Sequence, residues 1–182
     1  MAPVLVVYGT NEGHTGLVVE RIASALRDAG QDVETHDARE VSKQLLSGSY
    51  DGILVGGSIH AGEYQGSLKE FAKRNRALLE SVPSAFFSVS LAAADSDEEA
   101  KAEIESEVAK FARETGWQPK QVVPIAGALV YTHYNFFIRH MMKLIVKKHG
   151  RTELDTSRDY DFTDWDAVDR FAREFASGLK RS

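Results

Sequence analysis

The sequence predicts an open α/β fold, a parallel sheet with helices on both faces, and three observations carry that reading. Val4–Tyr8 is a continuous apolar run rather than an alternating one, the pattern of a strand buried on both sides, and Ile53–Val55 and Ala85–Val89 read as buried strands beside it. Amphipathic helical stretches separate the runs, as crossover helices must if successive strands are parallel. Each run ends in a loop of small, polar residues, at Thr10, Ser58 and Ser90. A doubly wound sheet gathers the carboxyl ends of its strands on one side, and there it binds its ligand.

Val4–Tyr8 is the expected central strand, and a helix follows from about Thr15 to Ala29, with Val18, Val19, Ile22 and Leu26 on one side and a stop at Gly30. Asp32–Asp37 alternates apolar and polar residues and reads as an edge strand. Val41, Leu45 and Leu46 suggest a short helix ending near Gly48. After Ile53–Val55, one helix is expected to turn Leu68, Phe71, Leu78 and Leu79 inward. Ala85–Val89 is followed by an acidic helix, with Ser96 and Glu99 as its capping box and Ile104, Val108 and Phe111 facing the core. Val122–Val130 reads as one long last strand. Thr163 and Asp166 form a second expected capping box, before a closing helix that buries Trp165, Val168, Ala172, Phe175 and Leu179. Five strands with these helices fit a flavodoxin-like doubly wound sheet of order 2-1-3-4-5.

Composition narrows the function. The 182 residues, 43% hydrophobic and 27% charged, suit a single domain with a real core. A formal charge of −5 argues against a nucleic-acid binder. The absence of cysteine removes disulfides, thiolate metal sites and thiol nucleophiles. The six histidines show no HxxH or HExxH spacing, so no metal is expected. No apolar run approaches a membrane span and no leader peptide is expected, which suits a cytoplasmic protein.

The loops carry the chemistry. Thr10, Asn11, Glu12, Gly13, His14 and Thr15 join a strand to a helix N-terminus, where free amides and the helix dipole favour an anion. No Gly-Lys-Ser/Thr closes this loop, which excludes a Walker A site. Ser58, Ile59, His60, Ala61, Gly62 and Tyr64 form a glycine-flanked loop that lets backbone approach a flat ring. Ser90, Leu91 and Ala92 leave room for a planar group on the other side. Each loop alone also reads as an ordinary connection; their convergence is the argument for a ligand.

The stretches Tyr8–Thr15, Gly56–Tyr64, Pro83–Leu91, Ile125–Tyr131, Met142–Ile145 and Tyr160–Trp165, with Phe171–Glu174, resemble in order the flavodoxin-domain proteins. Within them, they resemble the menaquinone-dependent protoporphyrinogen dehydrogenases of haem synthesis. The resemblance implies FMN, its phosphate on Thr10–Thr15 and its ring between Ser58–Gly62 and Ser90–Ala92. It also implies a tetrapyrrole substrate and a quinone acceptor. No catalytic base is identified; His60, Tyr131 and His133 lie near the expected mouth of the site.

An insert is expected at about 131–160, too long for a simple connection. Its core, Phe136–His149, reads as a helix with Arg139, Lys143 and Lys147 on one stripe and apolar residues elsewhere, a candidate peripheral contact with the inner face of the cell membrane. No acidic residue occurs from Tyr131 to Gly150. The chain departs from the porphyrinogen-oxidising pattern in two places where basic residues are expected: Asp95–Glu99 is acidic, and Thr132–Phe137 has no arginine. A substrate with propionates would be held less firmly without those arginines. The alternatives are an electron carrier that docks its acidic helix on a redox partner, and a cofactor-free receiver-like module. The latter would need acidic residues at the end of the first strand, where Tyr8-Gly9-Thr10 stands instead.

Overall fold

The computed structural model describes residues 2–11, 13–41, 46, 48–60, 62–129 and 160–179. Five parallel strands form one sheet in the order β2-β1-β3-β4-β5: β1 (Val4–Gly9), β2 (Val33–Asp37), β3 (Gly52–Ser58), β4 (Ser84–Ser90) and β5 (Val122–Ala126). This is the strand order the sequence implied, with Val33–Asp37 at one edge. Helix α1 (His14–Asp28) and the last helix, α6 (Trp165–Leu179), cover one face. Helices α2 (Ala38–Val41), α3 (Gly66–Arg74), α4 (Arg76–Ser81) and α5 (Glu98–Thr115) cover the other.

The pleat explains why the strands are apolar throughout. Val4 and Val6 of β1, Leu54 of β3, and Phe87 and Val89 of β4 pack with Val18, Ile22 and Leu26 of α1 and Val168, Phe171 and Ala172 of α6. The intervening residues Leu5, Val7, Ile53, Val55 and Phe86 face the opposite way, against Leu68, Phe71, Phe111 and Trp117. Alternate residues feed separate cores, so no position on a central strand is left for a polar side chain without a partner. Ser88 conforms to this, fully buried with its hydroxyl 2.7 Å from the Tyr64 phenol.

Local chemistry alters four expectations. The helix expected through Leu68 and Leu79 is two helices, broken at Asn75. This residue is 1% exposed; its Oδ1 accepts from the Leu46 amide (2.8 Å) and its Nδ2 donates to the Phe71 carbonyl (3.1 Å). The capping boxes both shift by one residue. Asp97, not Ser96, caps α5 by accepting from the Ala100 amide at 2.7 Å, and Asp164, not Thr163, caps α6 by accepting from Ala167 at 2.9 Å. The long last strand stops at Ala126. Beyond Gly127 the chain forms β6 (Ala128–Leu129), which pairs antiparallel with β7 (Tyr160–Asp161), Ala128 opposite Asp161. Residues 130–159 lie outside the described residues, as do the expected helix Phe136–His149, Val130, Leu45, Tyr131 and His133.

Asn75 joins the α2 side of the molecule to the α3–α4 break through buried hydrogen bonds. Asn75→Ala leaves the Leu46 amide without its acceptor and should lower the unfolding free energy by about 2 kcal/mol, read from urea denaturation; an unchanged midpoint would contradict this role.

Candidate functional site

The carboxyl ends of β1, β3 and β4 and the turn after β5 surround one cleft, lined by Thr10, His14, Thr15, Ser58, Ile59, His60, Val89, Ser90, Leu91, Gly127 and Ala128. It lies at the β1/β3 switch point, where α1 and α3 depart to opposite faces of the sheet. Eight of the sequence-named site residues meet here: Thr10, His14, Thr15, Ser58, Ile59, His60, Ser90 and Leu91.

Others stand apart. Asn11 is exposed, and Gly13, with φ 87°, is the N-cap of α1. Gly62, with φ 76°, makes the tight turn of the second loop without lining the cleft. Tyr64 corrects an expectation: it is 4% exposed and packs edge-on against Phe86 and Phe111, so it belongs to the core and not to a ring-binding wall. Ala92 is likewise buried, against Ala100 and Ile104. Glu12 and Ala61 lie outside the described residues. Val89, Gly127 and Ala128 were not anticipated as lining; Gly127 was visible in the sequence only as a glycine inside a strand.

The first loop has the character of an anion site. A first helical turn leaves amides without intrahelical acceptors, and that of α1 holds no acidic residue. The Thr15 hydroxyl is buried with no hydrogen-bond partner, on a residue 1% exposed. A buried hydroxyl without a partner is costly, and a ligand oxygen at this wall would remove the cost.

The three strand-end hydroxyls share one arrangement. Thr10 Oγ1 accepts from the Gly13 amide (2.9 Å), Ser58 Oγ from Gln65 Nε2 (2.9 Å) and Ser90 Oγ from the Ala93 amide (3.2 Å). A hydroxyl has one proton and two lone pairs. Each of these oxygens already receives a protein N–H, so each keeps its proton for another acceptor. The cleft therefore suits a ligand rich in oxygen and nitrogen lone pairs.

Two clamps hold the loops. In the second, His60 and Glu63 exchange both backbone hydrogen bonds (3.0 and 3.1 Å), and Glu63 reaches Lys110 of α5 and Lys69 of α3. Hydrogen bonds from Lys110 and then Lys69 pull the Glu63 carboxyl down to about 2. The other clamp ties the start of α1 to the return strand β7. Thr163 spends its only proton on the Ala126 carbonyl (2.8 Å), so His14 Nε2, 2.8 Å from the same oxygen, must be the donor. Neutral His14 is thus the Nε2–H tautomer. Burial lowers its pKa below the ordinary 6.5, opposed by Asp161 3.8 Å away.

That shift fixes a pH dependence. Between the folded-state pKa of His14 and 6.5 the unfolded chain binds a proton that the folded chain does not. The His14 contribution to stability is therefore complete above 6.5 and declines as pH falls through that window. His14→Gln, which can still donate to Thr163, should flatten this part of the stability profile in urea unfolding; a profile as steep as that of the unaltered chain would refute the assignment.

Comparison with known proteins agrees with the fold. The Flavodoxin domain profile matches residues 5–156. Protoporphyrinogen IX dehydrogenase (quinone) of Escherichia coli strain K12 is 35% identical over 172 residues, covering 94% of this chain and 93% of that protein. The Leishmania major protein of the same name is 35% identical over 95% of this chain and 74% of its own length. An archaeal flavodoxin structure superposes with a TM-score of 0.55 at 17% identity, covering 98% of this chain and 99% of that one.

Proposed function

The chain belongs to the flavodoxin-domain family, and from that premise we propose that it oxidises a tetrapyrrole, with a quinone as acceptor. It is an FMN-dependent oxidoreductase resembling protoporphyrinogen IX dehydrogenase. The observation that carries this reading is the 35% identity with the Escherichia coli enzyme across nearly the whole of both chains. The cleft fits the cofactor independently: the unpartnered Thr15 hydroxyl and the acid-free first turn of α1 suit a phosphate. Ser58 and Ser90 bring hydroxyl donors from separate loops to the same opening. Bound there, FMN supplies the two-electron redox chemistry that joins substrate to quinone. Thr10 and Thr15 with the first amides of α1 would hold its phosphate, and Ser58–His60 and Ser90–Leu91 would meet the ring, with the serine hydroxyls as donors.

The chain is one domain with an insert at about 131–160. Its two ends are the paired strands β6 and β7, and Ala128 at its root lines the cleft. That placement supports the insert as the part that meets substrate or quinone. No helix among the described residues is long and apolar enough to cross a membrane. The basic, apolar run Phe136–His149 supports a peripheral contact at the inner face of the cell membrane. The electron-carrier reading has its own support, the exposed glutamates Glu98, Glu99, Glu103 and Glu105 on α5.

The purified protein should be yellow, and Thr15→Val should weaken FMN binding about tenfold, a loss near 1.4 kcal/mol. Anaerobic addition of protoporphyrinogen should bleach the flavin absorption, and a menaquinone analogue should restore it. A colourless chain that refuses FMN defeats the cofactor assignment; flavin that the tetrapyrrole leaves oxidised defeats the substrate and favours the carrier.

Charge reversal tests the membrane contact. Lys143→Glu with Lys147→Glu should abolish sedimentation with vesicles of anionic lipid. Equal sedimentation of the variant and the unaltered chain would remove that contact from the mechanism.

A further inference from the structure

Gln65 lies outside the loops named from the sequence, yet it is the residue that determines what Ser58 can do. It stands at the N-cap of α3, where its backbone carbonyl accepts from Leu68 and Lys69 (both 3.1 Å), while its side chain makes no capping bond. Instead the side chain turns back across the ends of β1 and β3. Nε2 donates to Ser58 Oγ at 2.9 Å and lies 3.3 Å from the Ser58 carbonyl. A carbonyl only accepts, so the amide nitrogen must be on that side.

Space for this reach comes from a pair of glycines. Gly9 and Gly57 are register partners in the β1–β3 ladder. A Cβ on Gly9 would lie 2.6 Å from Gln65 Oε1, and one on Gly57 3.1 Å from the same atom. The Gln65 side chain thus lies over the paired glycines at the ends of β1 and β3, and a side chain at position 9 would displace it. Its Oε1 is buried with no hydrogen-bond partner. Such an orphan acceptor disfavours the placement. Solvating that oxygen would relieve the cost but would withdraw the amide from Ser58.

We propose that Gln65 is a positioning residue that makes Ser58 a fixed hydrogen-bond donor to the bound flavin, and so raises the potential of the cofactor. The inference rests on the FMN reading above. By occupying a lone pair of Ser58 Oγ with an N–H, Gln65 excludes the rotamer in which the hydroxyl proton turns toward α3. The proton is left for an acceptor in the cleft that Ser58 lines. Reduced flavin is richer in electrons than oxidised flavin, so a donor held in place stabilises the reduced form more.

The test is the midpoint potential of bound FMN in Gln65→Met, which keeps the length of the side chain and removes its N–H. Loss of a tenfold preference for the reduced form lowers a two-electron potential by about 30 mV. Ser58→Ala should lower it similarly, and adding Gln65→Met to Ser58→Ala should lower it no further. Gln65→Glu, whose carboxylate accepts the Ser58 proton, provides a second variant; its fall should be larger with Ser58 present than with alanine there. An unmoved potential in Gln65→Met, or the same fall in the Ser58→Ala background, overturns the proposal. FMN uptake with an unmoved potential overturns the role of Gln65 alone. An unaltered chain that takes up no FMN overturns the cofactor reading and this role with it.

Discussion

The pairing of β1 with β3 is the constraint on which the site depends. The two strands run parallel from Val4 opposite Gly52 to Gly9 opposite Gly57 and end level with each other. From that common end the chain leaves β1 for the α1 face and leaves β3 for the α3 face. The crevice follows from this parting of the two connections. The register of the neighbouring β3–β4 pair is equally specified. Gly56 sits opposite Phe87, whose ring occupies the place of a Cβ, so a slip that brought Val55 to this position would drive its side chain into the ring.

The polar character of the cleft arises from economy at the strand ends. Beyond the apolar strand bodies, the first polar side chains are Thr10, Ser58 and Ser90, and each accepts an N–H from its own loop or from α3. These hydrogen bonds order the loops and leave the hydroxyl protons without an acceptor among the described residues. Preorganised donors of this kind need no rearrangement when a ligand arrives, which is what makes them effective in a partly dry site. The same principle separates His14 from a ligand cation: its Nε2 proton is committed to Thr163, and burial favours the neutral ring.

The sheet was legible in the sequence because its signal is periodic and repeated. The continuous apolar run Val4–Tyr8 admits few alternatives, Ala85–Val89 departs from that pattern only at Ser88, and the edge strand Val33–Asp37 betrays itself by its polar composition. The parts that escaped are decided by single side chains or by distant contacts. Asn75 reads as an ordinary helix residue until its amide meets Leu46, and Asp97 outcompetes Ser96 as a cap only in the observed chain direction. Gly127 ends β5 because its amide donates to the Ser90 carbonyl (3.0 Å) and its own carbonyl accepts from Phe162 (3.2 Å), partners far away in sequence. Tyr64 reads in sequence as part of the ring-approaching loop, yet Phe86, Phe111 and Ser88 together form its environment. Gln65 had no signal at all, because its importance depends on Gly9 of another strand.

The acidic stretch Asp95–Glu99 acquires a structural cause that bears on substrate choice. Asp97 caps α5 by its side chain, and Glu98 and Glu99 occupy the first turn, where the helix dipole favours negative charge. Basic residues in that first turn would be placed against the dipole. The region beyond Leu91 is therefore acidic for the sake of its helix, and it offers propionate groups no partner. On the other side of the cleft stand Gly127 and Ala128, at the root of the β6–β7 pair. The sequence that this pair brackets has no acidic residue from Tyr131 to Gly150 and carries Arg139, Lys143, Lys147 and Lys148. The acidic start of α5 and this basic segment are thus separate in sequence, the first set by the capping of its helix and the second bracketed by β6 and β7.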